Sequence, residues 1–296
     1  MLVFNGNASK KRAAKNKDSL LLEFWKRFRR NKLAMAGLIF IFLLLLVMFF
    51  QNQIAHEGIN DQKYGKMLLA PCAEFWFGTD QYGRDLFSRL VYGTKYTIAM
   101  GIIASTISMI LGVIIGALTG YYGGKLDDIT MRIIDIVMTL PNILLALVMT
   151  ASFGPGFVNT MIAVGIAGVP MMARVTRTAV MSIQNQEFIE AAKSNNASDF
   201  RILLKYVLPN AAAQIIVQYT MYVATAILTG SSLSFLGLGL QPPAPEWGSI
   251  LSAGKPYMRD AWWITTIPGI LIMLVVLAVN LIGDGLRDAL DPKQKR

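Results

Sequence analysis

Apolar residues along this chain gather into six long blocks separated by polar stretches. The first, Leu33–Phe50, carries no charge and is long enough to cross a bilayer as a helix. The second, Tyr96–Gly124, is also uncharged. Ile133–Phe153 follows, with Asp135 near its start and Pro141 inside. After a Gly154-Pro155-Gly156 turn comes Phe157–Val180, with Pro170 inside and Arg174 and Arg177 at its end. Ala211–Ser234 and Ala261–Gly283 are the last two, the latter opened by the interfacial pair Trp262-Trp263. Pro is tolerated in a spanning helix where neighbours satisfy the freed carbonyl, and it often marks a bend.

The pattern predicts an all-α polytopic membrane protein with six transmembrane helices. Its expected parts begin with a cytoplasmic basic tail with an interfacial helix (1–32) and the first spanning helix (33–50). An extracytoplasmic loop (51–93) leads into a five-helix core (94–284) that carries a cytoplasmic helical loop (181–210), and a short tail (285–296) closes the chain. In the first tail, apolar residues of Leu20–Phe28 recur at helical spacing, which fits a helix lying on the lipid surface. Residues 1–17 read as a solvated tail. The leader has no small-residue cleavage site, so Leu33–Phe50 reads as a retained span.

Two spacings add detail to the blocks. Gly112, Gly116 and Gly120 fall every four residues on one helix face, as helices that pack closely in lipid require. Packing within the subunit and lining a pore are the two uses of such a face. The fifth block is uncharged but holds Gln214, Gln218, Thr220, Thr225 and Thr229. Gln214 and Gln218 share a face that lipid does not accept cheaply. Either they line a translocation path, together with Thr225, or they bond across helices.

Composition agrees with the blocks. Of the 296 residues 54% are hydrophobic and 16% charged, with mean hydropathy +0.48; soluble domains carry about 25% charged residues. The net charge of +10 does not indicate nucleic acid, because ten of the 28 Lys and Arg precede residue 33, beside an apolar span. That is the signature of membrane orientation and anionic lipid. With the amino terminus inside, 21 of the 28 Lys and Arg lie on the cytoplasmic side of six spans, so both termini are expected there. The lone Cys72 excludes an intramolecular disulfide and a Cys-based metal site, and the lone His56 a His cluster. Gly124-Lys125 is not a phosphate loop, since Thr119 replaces the first Gly and Leu126 the Mg-binding hydroxyl.

Three polar stretches carry the functional signal. Glu187–Pro209 holds six charges, so it lies in water. Its pattern predicts a helix over Phe188–Ser194, a break at Asn195-Asn196, and a second helix over Ala197–Val207. Ser198 and Asp199 offer capping oxygens for the second, and Leu208-Pro209 is expected to end it. Phe77–Asp85 reads as a turn held by Gly78 and Gly83, with Asp80, Arg84 and Asp85 free to pair. Its uses are a loop-stabilising ion-pair turn or a direct part in substrate passage. The third stretch, Ser234–Pro243 ending in Glu246-Trp247-Gly248, has the Gly and Pro content of an irregular or re-entrant segment. Arg174 and Arg177 are basic anchors at a span end, or partners for acidic groups of the Glu187–Pro209 region.

Glu190-Ala191-Ala192, Asn196 and Leu208-Pro209 resemble, at the right spacing, the EAA loop of the membrane subunits of ABC importers. Asn196 stands where that pattern has Gly, and Tyr206 where a basic residue or His is common. Asn is the next best residue for a left-handed turn. Gly78-Thr79-Asp80, Gly83-Arg84-Asp85 and the Ser234–Pro243 segment are similar to the oligopeptide, dipeptide and nickel branch of that family, as its C-type permease subunit. The resemblance implies a type I ABC importer permease fold in a bacterial cytoplasmic membrane. It implies a second homologous permease subunit, two ATP-binding subunits, an extracytoplasmic binding protein or lipoprotein, and no nucleic-acid partner. The first helix of the loop then docks in a cleft of the ATPase, with Ala191 and Ala192 allowing the close approach. No catalytic, cofactor or metal residue is expected in this chain, and ATP and Mg belong to the partner subunits. Peptide is the expected cargo and nickel the alternative. A stand-alone secondary transporter normally buries ionisable residues in its spans, and these spans hold almost none away from their ends. A scaffold protein gives no reason for Glu190-Ala191-Ala192 at a cytosolic turn.

Overall fold

The computed structural model describes residues 22–290, and apart from one isolated bridge between Thr79 and Asp85 the regular structure within them is helical. A short helix α1 (22–30) leads into α2 (Lys32–Phe49), which is started by Asn31: its side-chain oxygen accepts from the Ala34 N–H at 3.1 Å. The other end of the same side chain donates to Asp288 at 3.3 Å. Phe28 is buried against Ala34 and Ala289. The expected interfacial helix is therefore pinned by one face to the end of the last helix, while Leu22 and Trp25 stay exposed. Residues 1–17, read as a solvated tail, lie outside the described residues, as do 291–296.

A short α3 (Gln51–Ile54) and an irregular loop lead to α4 (Leu86–Tyr122). At 37 residues it is about 55 Å long, and it starts ten residues before the uncharged block. Asp85 starts it by accepting from the Ser88 N–H at 2.9 Å, and Arg89 in its first turns is sheathed by the preceding loop. A charge-free window misses those turns because they carry Arg89, buried in protein, and the half-buried Lys95.

The third block is the main departure. It is two helices, α5 (Gly124–Met138) and α6 (Asn142–Phe153), bent by 88° at Thr139–Pro141. Pro141 does not sit inside a span; it starts α6 and drives Leu140 out of helical geometry. α7 (Phe157–Gln184) carries Pro170 without breaking. It packs along α4, where the glycine face meets it backbone to backbone: a Cβ on Gly116 would fall 2.3 Å from the Ala173 carbonyl oxygen. The glycine spacing is thus an intramolecular seam.

After α8 (Glu187–Ser194) and α9 (Asp199–Ile202), a π-helical turn (Leu203–Val207) runs straight into α10 (Leu208–Phe235). Leu208-Pro209 does not end a helix. The Leu208 N–H bonds five residues back to Leu203, and this wider turn admits a proline that has no N–H to give. α11 (Trp247–Gly254) lies across α10 and α12 (Trp263–Leu290), whose apolar faces meet α4 in the main core of Leu90, Ile98, Ile227, Trp247 and Ile264. Among the described residues five helices are long and apolar enough to cross a membrane, and the count reaches six when the bent α5–α6 pair is taken as one broken span.

Candidate functional site

Three regions bear the chemistry, and they sit at different heights of the bundle. The first is α8 and the turn after it. Ile189 and Ala192 point inward, packing with Val180, Ile202, Leu203 and Val207. Ala192 is only 8% exposed, so it supports α8 from beneath and does not belong to the outer face with Ala191. The three-residue spacing from Ile189 carries that signal in the sequence. Glu187, Phe188, Glu190 and Ala191 face outward beside Leu204 and a Phe200 that is 71% exposed. Asn196 adopts φ 54°, and the N–H groups of Asn196 and Ala197 bond back to Lys193 and Ala192 at 2.9 and 3.2 Å. This is a Schellman stop with Asn in the left-handed position. Ser198 makes no side-chain cap, and Asp199 instead accepts from the Tyr121 hydroxyl at 2.8 Å.

The second region is the turn at Gly78–Arg89, where the charges are buried. Asp80 is 3% exposed. One of its oxygens accepts from the N–H groups of Tyr82 (2.8 Å) and Arg84 (3.0 Å), and the other from Arg84 Nε at 2.6 Å. Arg89 Nε lies 3.6 Å from that second oxygen, and its Nη1 donates to the Ile59 carbonyl at 2.8 Å. Thr79 accepts from the Leu69 N–H and donates to the Lys66 carbonyl, while its own carbonyl accepts from Trp263 Nε1 at 3.1 Å. Gly78 must be glycine, since its φ is +76° and a Cβ would meet the Leu69 carbonyl at 2.6 Å. The turn ties the 51–85 loop, the start of α4 and α12 into one unit. His56 stays exposed but packs on Trp76 and Phe87.

Beside it lies the Ser234–Gly248 stretch. Its chain is irregular from Leu236 to Glu246, and the Leu238 carbonyl accepts from Gly156 N–H and the Thr160 hydroxyl, both at 3.1 Å. Glu246, 1% exposed, caps α11 by accepting from the Ser249 N–H at 2.9 Å. Burial pushes this carboxyl above its ordinary range, against the pull of the Gly248 and Ser249 N–H groups. Trp247 donates to the Leu90 carbonyl at 2.9 Å. Sequence reasoning named Glu246 only as part of the motif that ends this stretch; an acidic residue between Pro245 and an apolar helix is the capping signal that gives it its role.

The third region is the open face of α10. Gln214, Gln218 and Thr225 lie on one stripe with Met221. Gln218 and Thr225 border a cleft of about 490 Å³ shared with Leu140, Pro141 and Asn142 of the bend. Gln214 and Gln218 border a second cavity of about 510 Å³ closer to α8. Arg177 and Arg174 find their acids on α5, not in the α8 region: Arg177 makes a two-pronged pair with Asp127 at 2.5 Å, and Arg174 pairs with Asp135.

A bundle of membrane-spanning helices, with a polar open face between them and a helical turn held outside them, defines a membrane-embedded transport subunit. The family described as "binding-protein-dependent transport system inner membrane component" matches residues 112–296, and the "N-terminal TM domain of oligopeptide transport permease C" matches 19–71. The chain belongs to this family of ABC-importer permeases. It is 44% identical over 92% of its length to the dipeptide transport system permease protein DppC of Alkalihalophilus pseudofirmus, covering 90% of that protein. It is 42% identical to the di/tripeptide transport system permease protein DppC of Pseudomonas aeruginosa, over 94% of this chain and 93% of that one. The glutathione transport system permease protein GsiD of Escherichia coli is 44% identical, over 92% and 90% respectively. Among solved structures, an inward-facing MetNI methionine ABC transporter superimposes with a TM-score of 0.57 at 21% identity, covering 70% of this chain and 98% of that one. That likeness establishes the fold.

Proposed function

We propose that this subunit forms half of the path of a peptide importer and couples it to a cytoplasmic ATPase. The observation that carries the coupling role is the outer face of α8. A polar segment between spans presents Glu187, Glu190 and Ala191 around exposed Phe188, Phe200 and Leu204, a mixed acidic and apolar surface that suits a soluble partner. Ile189 and Ala192 fasten α8 to the span ends beneath, so force on α8 passes into α7 and α10. In this reading α8 and both termini are cytoplasmic, a binding protein delivers cargo at the opposite end, and a homologous permease covers the open face of α10. Gln214, Gln218 and Thr225 then line the path.

The cargo class comes from the relatives, whose names specify dipeptides, di- and tripeptides and glutathione, itself a tripeptide. Nickel has no such support. Affinity purification from the native membrane, followed by mass spectrometry, tests the assembly. A second permease and nucleotide-binding subunits are expected; recovery of the chain alone, or as its own oligomer, overturns the reading.

A further inference from the structure

We infer that the cavity at the α8 end of the α10 face binds the main chain and free carboxylate of a short peptide, with Arg287 as the carboxylate-binding residue. This rests on the peptide-import reading above and adds a ligand site to it. Asn210, Gln214 and Gln218 stand at i, i+4 and i+8 on α10, so their three carboxamides form a ladder on one face. All three border the cavity of about 510 Å³, with Val175 of α7 and Arg287 and Leu290 of α12. Arg287 is the one charged side chain among the described residues lining it. Gly283 packs beside Thr220 and Met221, which places Arg287, about 6 Å further along α12, level with Val217, between Gln214 and Gln218.

The chemistry fits a peptide end. Carboxamides each offer a carbonyl acceptor and an N–H₂ donor, the same pair that a peptide backbone presents in reverse. Asn210 gives an N–H to the Tyr206 carbonyl at 2.6 Å, which leaves its own carbonyl oxygen to accept. The ladder rises about 12 Å, the length of about three to four residues of extended peptide. A guanidinium facing the ladder matches a carboxylate in two-pronged geometry. A peptide bound with its carboxylate at Arg287 therefore lies along α10 against the carboxamides of the ladder.

The test uses the complete importer in nanodiscs, free of nucleotide and of binding protein, with trialanine and its carboxamide as probes in an equilibrium binding measurement. The wild-type complex should bind trialanine about tenfold more tightly than the amide. Arg287→Gln should erase that ratio, and Arg287→Lys, which keeps the charge without the fork, should restore part of it. Gln218→Ala should weaken both probes and leave the ratio in place, which keeps the site testable if the Arg287→Gln complex does not assemble. Equal binding of the two probes, binding of neither, or an unchanged ratio in Arg287→Gln overturns the site. ATP-driven uptake of trialanine by proteoliposomes with the binding protein added reports on the importer separately. Uptake without discrimination at Arg287 sinks only this inference, and no peptide uptake sinks the import reading.

Discussion

The Gly78–Arg89 turn and the Glu187–Pro209 loop look alike as sequence: each is a short charged stretch next to an apolar span, punctuated by residues that tolerate left-handed backbone. The structure treats them in opposite ways. Thr79, Asp80, Arg84, Asp85, Ser88 and Arg89 are all buried, and their donors and acceptors are spent mainly on one another and on neighbouring carbonyls. Glu187, Glu190, Lys193, Asp199, Arg201 and Lys205 are all exposed, and large apolar side chains are exposed among them. A buried charge has to be paired within the chain. Several large apolar side chains exposed together among charges suit a partner surface. The first stretch is therefore a fastening within the subunit, and the second is the surface that the proposed coupling role assigns to the ATPase.

Breaking the fastening should have the largest effect. Asp80→Ala leaves Arg84 and Arg89 buried without the carboxylate that both face. Removing one partner of a buried pair costs about 3–5 kcal/mol, so folded yield and thermal stability in detergent should fall sharply. A variant with wild-type stability would show that the pair is not what holds this turn. Glu190→Lys should act the other way. Position 190 is exposed and outside every span, so subunit stability should stay within about 0.5 kcal/mol, while co-purification of the ATPase or ATP-driven transport is lost. Normal transport by Glu190→Lys in a reconstituted importer would mean that α8 does not dock as proposed.

Much of this contrast was legible in the sequence, because the residues involved have narrow physical uses. Glycines at a four-residue spacing predict a close helix seam, and Gly112, Gly116 and Gly120 lie against Met172, Ala173 and Arg177. Positions that needed tertiary context were not legible. The charge-free rule missed the first turns of α4 because Arg89 is sheathed by the loop. Pro209 was expected to stop a helix, and a π turn that no local propensity announces lets the rod continue. The bend at Thr139–Pro141 was signalled only as a proline, with nothing to say that it would reach 88°. Ala192 carried its own signal in the spacing from Ile189, and the resemblance to a docking motif outweighed it.

The smallest effect sharpens the same comparison, because it asks whether the exposed loop depends on a side chain or on a backbone angle. Asn196 has φ 54°, and the two N–H groups that close α8 come from its own backbone and that of Ala197. Left-handed backbone costs a residue with a Cβ about 1–2 kcal/mol, less for Asn and nothing for Gly. Asn196→Gly relieves that strain and loosens the unfolded chain, two terms of opposite sign and similar size. Stability should therefore change by less than about 1 kcal/mol and transport should persist. Asn196→Val, which cannot adopt the angle cheaply, should destabilise the loop by about 1–2 kcal/mol. Loss of transport in Asn196→Gly with stability intact would show that the carboxamide itself touches the partner, and would move Asn196 from the turn that shapes the surface onto the surface.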